Sequence, residues 1–368
     1  MGEVTVGVVL PRTGRLRELA DPLEFALDSL RHTGFEVVVA DSCSDPAATK
    51  VAVRELDRHG VSLVLTLGGT HTLPAVAAAC EEFAVPGLST TLPWQVYRAR
   101  RGVADPAWSF HFCWGIDDIA GAFADLWDGV AEHATVGCLW NDGVQGTALR
   151  DPANGFGPTA ARRGHRLVDP GGYEELNSAF DRHVDRFLAE RVQVVTAAAD
   201  ARDLAAFAAT AERRGLRPQL VTCSRWLSYP FGAERAGLDG VGTIVAWTPR
   251  HPHRSSLDGR SAAELADAYE KATGKPWLQP LGLAHAVVEV AVHALRTADD
   301  PRDRHAVAAA LRRTRLDTIC GILDWTAGPA PSIARIPLAG GRWIRRDGRM
   351  QLLTQLELWP LSGLQQLC

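Results

Sequence analysis

The residues best suited to holding a small molecule lie at the ends of apolar runs. Residues 63–67 read as a buried strand, and Gly68, Gly69, Thr70, His71 and Thr72 follow as a short loop leading into a helix. A second apolar run ends at Ser89, Thr90 and Thr91. Two adjacent parallel strands then present hydroxyl-bearing loops at one sheet edge, where open α/β sheets bind ligands. Free N–H groups at the helix start add a preference for an anion. Trp94, Trp114, Trp140, Trp226 and Trp247 also fall at or just after strand ends, as the lining of an aromatic pocket would. Asn141, Asp200 and Arg225 each follow a later strand.

Each of these residues has a plainer use. Threonines after strands cap helices, and His71 is a common helix-start residue. Asn141 with Asp142 reads equally as a turn. Asp200 and Arg225 read equally as solvated charges, and most tryptophans are packing. The case for a site rests on their sharing the carboxyl ends of strands.

Nothing in the chain points to bond-making chemistry. G-x-S-x-G, H-E-x-x-H, a Walker loop and a first-strand G-x-G-x-x-G are all missing, so the expectation is a binding protein, not an enzyme, with no cofactor. His251 and His253 lack cysteine or carboxylate neighbours at metal-ligand spacing. The 368 residues carry a net charge of -4, which argues against a nucleic-acid partner. Lys50, Lys271 and Lys275 are the only lysines, a bias that fits a GC-rich genome better than phosphate recognition. Seven scattered cysteines without a CxxC read as mostly buried free thiols. No run reaches about 18 apolar residues, the length that spans a membrane. The start runs straight into a strand without the features of an export signal, which fits a cytosolic protein or a chain whose signal was removed.

The length suits two domains. Strands at 4–10, 35–40, 63–67 and 85–91 alternate with helices, one of them opened by Asp45 as cap and Pro46 at the first helical position. A strand at 108–114 and a helix from Asp117 follow. Strands at 135–140, 165–168, 192–197, 219–223 and 242–246 repeat the alternation. The expected fold is α/β, two doubly wound parallel-sheet lobes. Three helices in a row at 261–314 and late strands at 321–325, 333–338, 342–345 and 351–358 suggest that the chain returns to both lobes through a multi-strand hinge.

Residues Val4 to Gly14, with Pro11 closing the strand, resemble the opening of type I periplasmic binding proteins, the Leu/Ile/Val- and amide-binding receptors of ABC transporters. Val38 to Pro46, the Gly68-Gly69-Thr70 loop, Val85 to Ser89, Ala266 to Tyr269 and Gly321 to Trp325 match in order and spacing, from about residue 3 to 358. The resemblance implies an N-terminal lobe at 1–120 and 248–325, and a C-terminal lobe at 121–247 and 326–368. It implies that loops bearing Thr70, His71, Thr90 and Thr91 hold a carboxylate or amide. The second lobe would close over the ligand by hinge motion, often with an aromatic side chain, and Trp94, Trp114 and Trp226 are the aromatic candidates for the site. That lobe commonly supplies an acid for an α-amine, yet Arg225 stands about where the acid belongs. An arginine cannot receive an ammonium but can fork onto a carboxylate or amide oxygen; Asp200 would supply a negative charge instead. The resemblance thus implies an extracytoplasmic solute-binding protein whose partners are a small-molecule ligand and the membrane permease of an ABC importer. The ligand would be amino-acid-like, an amide or an aromatic carboxylate, held in the interlobe cleft. The alternative is a cytosolic sensor of the amide-receptor type that regulates gene expression.

Overall fold

The structure is a computed structural model that describes residues 4–177, 179–225 and 239–354. The first series is β1 (Thr5–Leu10), α1 (Ala20–Arg31), β2 (Glu36–Asp41), α2 (Pro46–Arg58), β3 (Leu63–Leu67), α3 (Thr72–Phe83), β4 (Gly87–Thr90), α4 (Trp94–Arg100) and β5 (Ser109–Phe112). The second is α5 (Ile116–Asp128), β6 (Thr135–Leu139), α6 (Val144–Leu149), α7 (Phe156–Arg162), β7 (Arg166–Val168), α8 (Asp181–Ala189), β8 (Val194–Ala197), α9 (Ala201–Arg214), β9 (Leu220–Cys223) and β10 (Val241–Val245). Then come α10 (Ala262–Thr273), α11 (Gln279–Thr297), α12 (Arg304–Arg313) and the hairpin β11 (Arg315–Thr318) and β12 (Gly321–Asp324). The chain continues through β13 (Ile333–Ala334), β14 (Ala339–Arg346) and β15 (Arg349–Thr354).

The fold class matches the sequence expectation. One compact unit comprises residues 1–115 and 246–337, and a second comprises 116–245 and 338–368. The expected boundary near 325 moves to 337. The cause is backbone pairing: β13 adds to the first sheet in parallel with β5, keeping 326–337 in the first unit. Helices α4 and α6 and strand β11 were not expected. The first two are only seven and six residues long, too short to show a helical period, and β11 gains its ladder only by folding back on β12.

In the first unit the sheet order is β13-β5-β4-β3-β1-β2, all parallel. Its central strands β1 and β3 are buried almost throughout and mostly apolar, as parallel strands covered on both faces are. Asp45 caps α2 as expected, accepting the Ala47 and Ala48 N–H groups at 2.9 Å. Helix α11 is apolar almost all round and buried along nearly its whole length. Gly282 in its first turns lies under the indole of Trp247, itself fully buried; a Cβ there would sit 2.2 Å from the ring. Glu289, on the same helix, accepts the Ser256 N–H and hydroxyl (2.5 and 2.9 Å) and the Ile319 N–H (3.0 Å). Burial pushes its carboxyl up to about 7 despite those bonds.

The second unit has the order β15-β14-β10-β9-β8-β6-β7, parallel from β10 to β7, with β14 and β15 added antiparallel. Trp127 of α5 is buried beneath this sheet and donates its indole N–H to the Thr222 hydroxyl at 3.2 Å. Among the described residues no helix is long and apolar enough to cross a membrane.

Gly282→Ala tests the α11 packing. The added methyl has no room against Trp247, so a loss of about 3 kcal/mol is expected, the upper range for core overpacking. A calorimetric melt that leaves the first unit's transition unmoved would contradict that packing.

Candidate functional site

In the first unit the chain runs from β1 outward to β2 and then crosses to β3 on the opposite side. The loops leaving β1 and β3 therefore diverge, which is the position where doubly wound sheets take ligands. The β3–β4 register brings Leu67 opposite Thr90, placing the two expected loops side by side.

Thr91 joins them. Its hydroxyl accepts the Gly68 N–H at 3.2 Å and lies 2.8 Å from the Gly68 carbonyl oxygen, to which it donates. Thr91 does this at φ +83°, a region costly for a β-branched residue. Thr90 is fully buried, and its hydroxyl meets no acceptor or donor among the described residues. The α3 start is braced by Thr72, whose hydroxyl accepts the Gly69 N–H at 3.0 Å. Thr70 is half-buried, and its carbonyl accepts Arg100 Nε at 3.2 Å. His71 is exposed, with Nδ1 3.5 Å from the same guanidinium. Trp94 donates its backbone N–H to the Trp114 carbonyl at 3.0 Å, so α4 begins against the end of β5. Trp114 is buried, and the indole nitrogen of Trp94 is buried without a partner.

Behind Thr90 stands His111, absent from the sequence reading. Its Nε2 is 2.7 Å from the Leu92 carbonyl and its Nδ1 2.8 Å from the Ser89 hydroxyl. A carbonyl only accepts, so the proton is on Nε2 and Ser89 donates to Nδ1. Burial pushes the imidazole down to about 3, and the neutral ring stacks on Tyr97 at 4.0 Å.

In the second unit the reversal falls between β6 and β8. Asn141 follows β6 and is buried. Its Nδ2 donates to Glu175 Oε1 (3.0 Å) and the Ala198 carbonyl (2.9 Å), and its Oδ1 accepts from Gly143 (3.0 Å) and Gly146 (3.3 Å). Both amide hydrogens and both lone pairs are engaged by the protein, so this side chain shapes the loop. Gly146 must be glycine, since a Cβ would lie 1.9 Å from the Asn141 carbonyl oxygen. Asp200 caps α9, accepting the Arg202 and Asp203 N–H groups at 2.8 Å each.

Arg225 changes the charge argument. It was expected to offer its fork to a ligand, but both terminal nitrogens lie on Glu175, one of them 3.3 Å from Oε2. Glu175 comes from the segment between β7 and α8, and nothing in the sequence linked it to a residue 50 positions away. Asp203 is fully buried; Oδ2 accepts the Leu176 N–H at 3.2 Å and Oδ1 has no partner. Burial, then the neighbouring Asp200, push its carboxyl up to about 6. The Tyr173 hydroxyl is likewise buried without a partner, and burial and the Asp203 charge raise its pKa. Trp226 lies outside the described residues. Asp317 stands 2.9 Å from His253 Nδ1, but among the described residues no cluster of histidine, cysteine or carboxylate could hold a metal.

A family model described as periplasmic binding protein matches residues 3–333. The chain belongs to the periplasmic binding protein family. Solved structures of this family's fold include a leucine-binding protein from Thermotoga maritima: 16% identity, 95% of this chain and 97% of that one covered, TM-score 0.73. The leucine-, isoleucine-, valine-, threonine- and alanine-binding protein from Brucella ovis, in closed conformation, gives 15%, 96%, 94% and 0.79. A solute-binding protein of an ABC transporter from R. palustris, in complex with 4-hydroxybenzoate, gives 14%, 97%, 96% and 0.77. No curated protein sequence matches the chain. The type I periplasmic binding protein fold and family expected from the sequence are therefore the observed ones.

Two variants check the first unit's loops. Thr91→Val removes the hydroxyl but keeps the shape, leaving the Gly68 N–H and carbonyl without it; a loss of about 1–2 kcal/mol is expected, with faster amide exchange at Gly68. Unchanged exchange would show that the loops do not depend on the hydroxyl. His111→Phe should cost about 2 kcal/mol at pH 7, because Ser89 and Leu92 lose their partner. The folded pKa of His111 is depressed, so this residue costs the wild type stability as pH falls from about 6.5 toward 3, a contribution the variant lacks. Urea titrations at pH 7 and pH 4.5 should show the gap narrowing at the lower pH; a constant gap would mean that His111 is not held neutral.

Proposed function

We propose that this protein is the extracytoplasmic solute-binding component of an ABC importer, with a membrane permease as its partner. It takes a small amino-acid-like, amide or aromatic carboxylate ligand. The observation that carries this reading is the pair of loops after β3 and β4, locked together by Thr91 beside the sheet's reversal point, with the buried Thr90 hydroxyl unpartnered. The relatives bound to leucine and 4-hydroxybenzoate support the ligand class. The strand-end loops of the second unit carry a second set of candidate residues.

The charges there favour an amine-bearing member of that class. Three carboxylates, Glu175, Asp200 and Asp203, face one guanidinium, and Arg225 is already paired with Glu175. The unpartnered Asp203 Oδ1 accepts a hydrogen-bond donor and disfavours an anion, and the Tyr173 hydroxyl beside it can donate or accept. A second reading, a cytosolic sensor on the same fold, draws on the six free cysteines among the described residues, five of them buried.

A thermal-shift screen pairing L-leucine with 4-methylpentanoate, and including amides and 4-hydroxybenzoate, tests the ligand class. A ligand at 100 times its Kd stabilises by about 2.7 kcal/mol. L-leucine or a related amino acid is expected to shift the melt, and its des-amino analogue to shift it less. A panel without any response would remove the solute-binding reading. Ligand-dependent capture of a purified transcription regulator, in place of a permease, would select the sensor.

A further inference from the structure

The segment behind the first unit's loops contains a charge that the ligand reading does not use. Arg101 ends α4 and is 1% exposed. Its Nε donates to the Val103 carbonyl at 3.1 Å, while Nη1 and Nη2 are both buried and meet no acceptor among the described residues. A guanidinium does not lose its proton in a protein, so the positive charge persists at this depth. A buried ion without a partner costs several kcal/mol, more than a neutral orphan group.

The groups around Arg101 do not supply the missing charge. Tyr97, one turn earlier, offers only its ring face, 6.0 Å from the guanidinium carbon, and burial keeps its phenol protonated. His111, stacked on Tyr97, is neutral and has both nitrogens engaged. Glu81 contributes attraction, but its oxygens already accept the Ala107, Trp108 and Ser109 N–H groups and the Ser109 hydroxyl. Asp105 is exposed, and Arg98 adds repulsion. Water could satisfy the N–H groups but not the charge; a small anion satisfies both.

We propose that the two terminal nitrogens of Arg101 form a buried site for a small monoanion of chloride size, between α4 and the 102–108 segment. The site is separate from the proposed solute site. Its occupant fixes the end of α4, whose adjacent residue Arg100 holds the Thr70 carbonyl. The anion thereby helps position the loop that carries Thr70 and His71.

The test uses the full chain with bromide and chloride as probes. Melts are recorded in sodium chloride, sodium bromide and sodium gluconate at equal ionic strength. A saturable rise of about 3 °C with either halide over gluconate is expected in the wild type, and no such difference in Arg101→Met. Crystals grown in bromide should show an anomalous peak within hydrogen-bonding reach of Nη1 and Nη2. This peak decides the matter even if Arg101→Met does not fold. Identical wild-type melts in the three salts, or water alone at both nitrogens in the bromide crystals, would overturn the proposal. Neither result bears on solute binding, which the ligand screen tests independently.

Discussion

A parallel sheet cannot be built from hairpins: each strand must be reached by a crossover, and in both units the crossovers reverse direction once, between β1 and β3 and between β6 and β8. The other features of the site depend on that reversal. It separates two loops at the carboxyl edge of each sheet, leaving strand-end N–H groups and side chains without sheet partners. The protein immobilises loops at that edge instead of leaving them loose. Thr91 locks to Gly68 in the first unit, and Asn141 uses its whole amide to hold Gly143, Gly146, Ala198 and Glu175 in the second. Fixed loops lose little conformational entropy when a ligand arrives.

Polar groups in the interior divide into those with partners and those without. Glu289, His111 and Asn141 are buried and fully engaged, and each ties a loop to a strand or helix. Breaking one such bond leaves a desolvated group behind, so these contacts specify loop positions more sharply than apolar packing can. The Thr90 hydroxyl at the end of β4, the Tyr173 hydroxyl between β7 and α8, and Asp203 Oδ1 in the first turn of α9 are buried and unengaged. Native interiors rarely tolerate such atoms unless something else meets them.

Most of the fold was legible in the sequence. Apolar runs, the Asp45-Pro46 helix start and the doubled alternation gave the elements and the two-lobed class. The short elements α4, α6 and β11 were not legible. Helices of seven and six residues carry too little periodicity to register, and β11 exists through its pairing with β12. The third crossing was misplaced because β13 has two residues, and only its pairing with β5 assigns it to the first unit.

The site was legible as a set of positions but not as a set of roles. The sequence by itself determined which loops leave which strands, because strand periodicity and loop chemistry are local properties of the chain. It also determined the family, through the order of its segments. Only tertiary structure decided which charges remain available. Arg225 is answered by Glu175, Asp203 is buried with one oxygen unpartnered, and Thr72 rather than Thr70 braces the α3 start. Partnership and burial depend on residues far apart in sequence, and local pattern carries no information about which of two like charges the fold will neutralise.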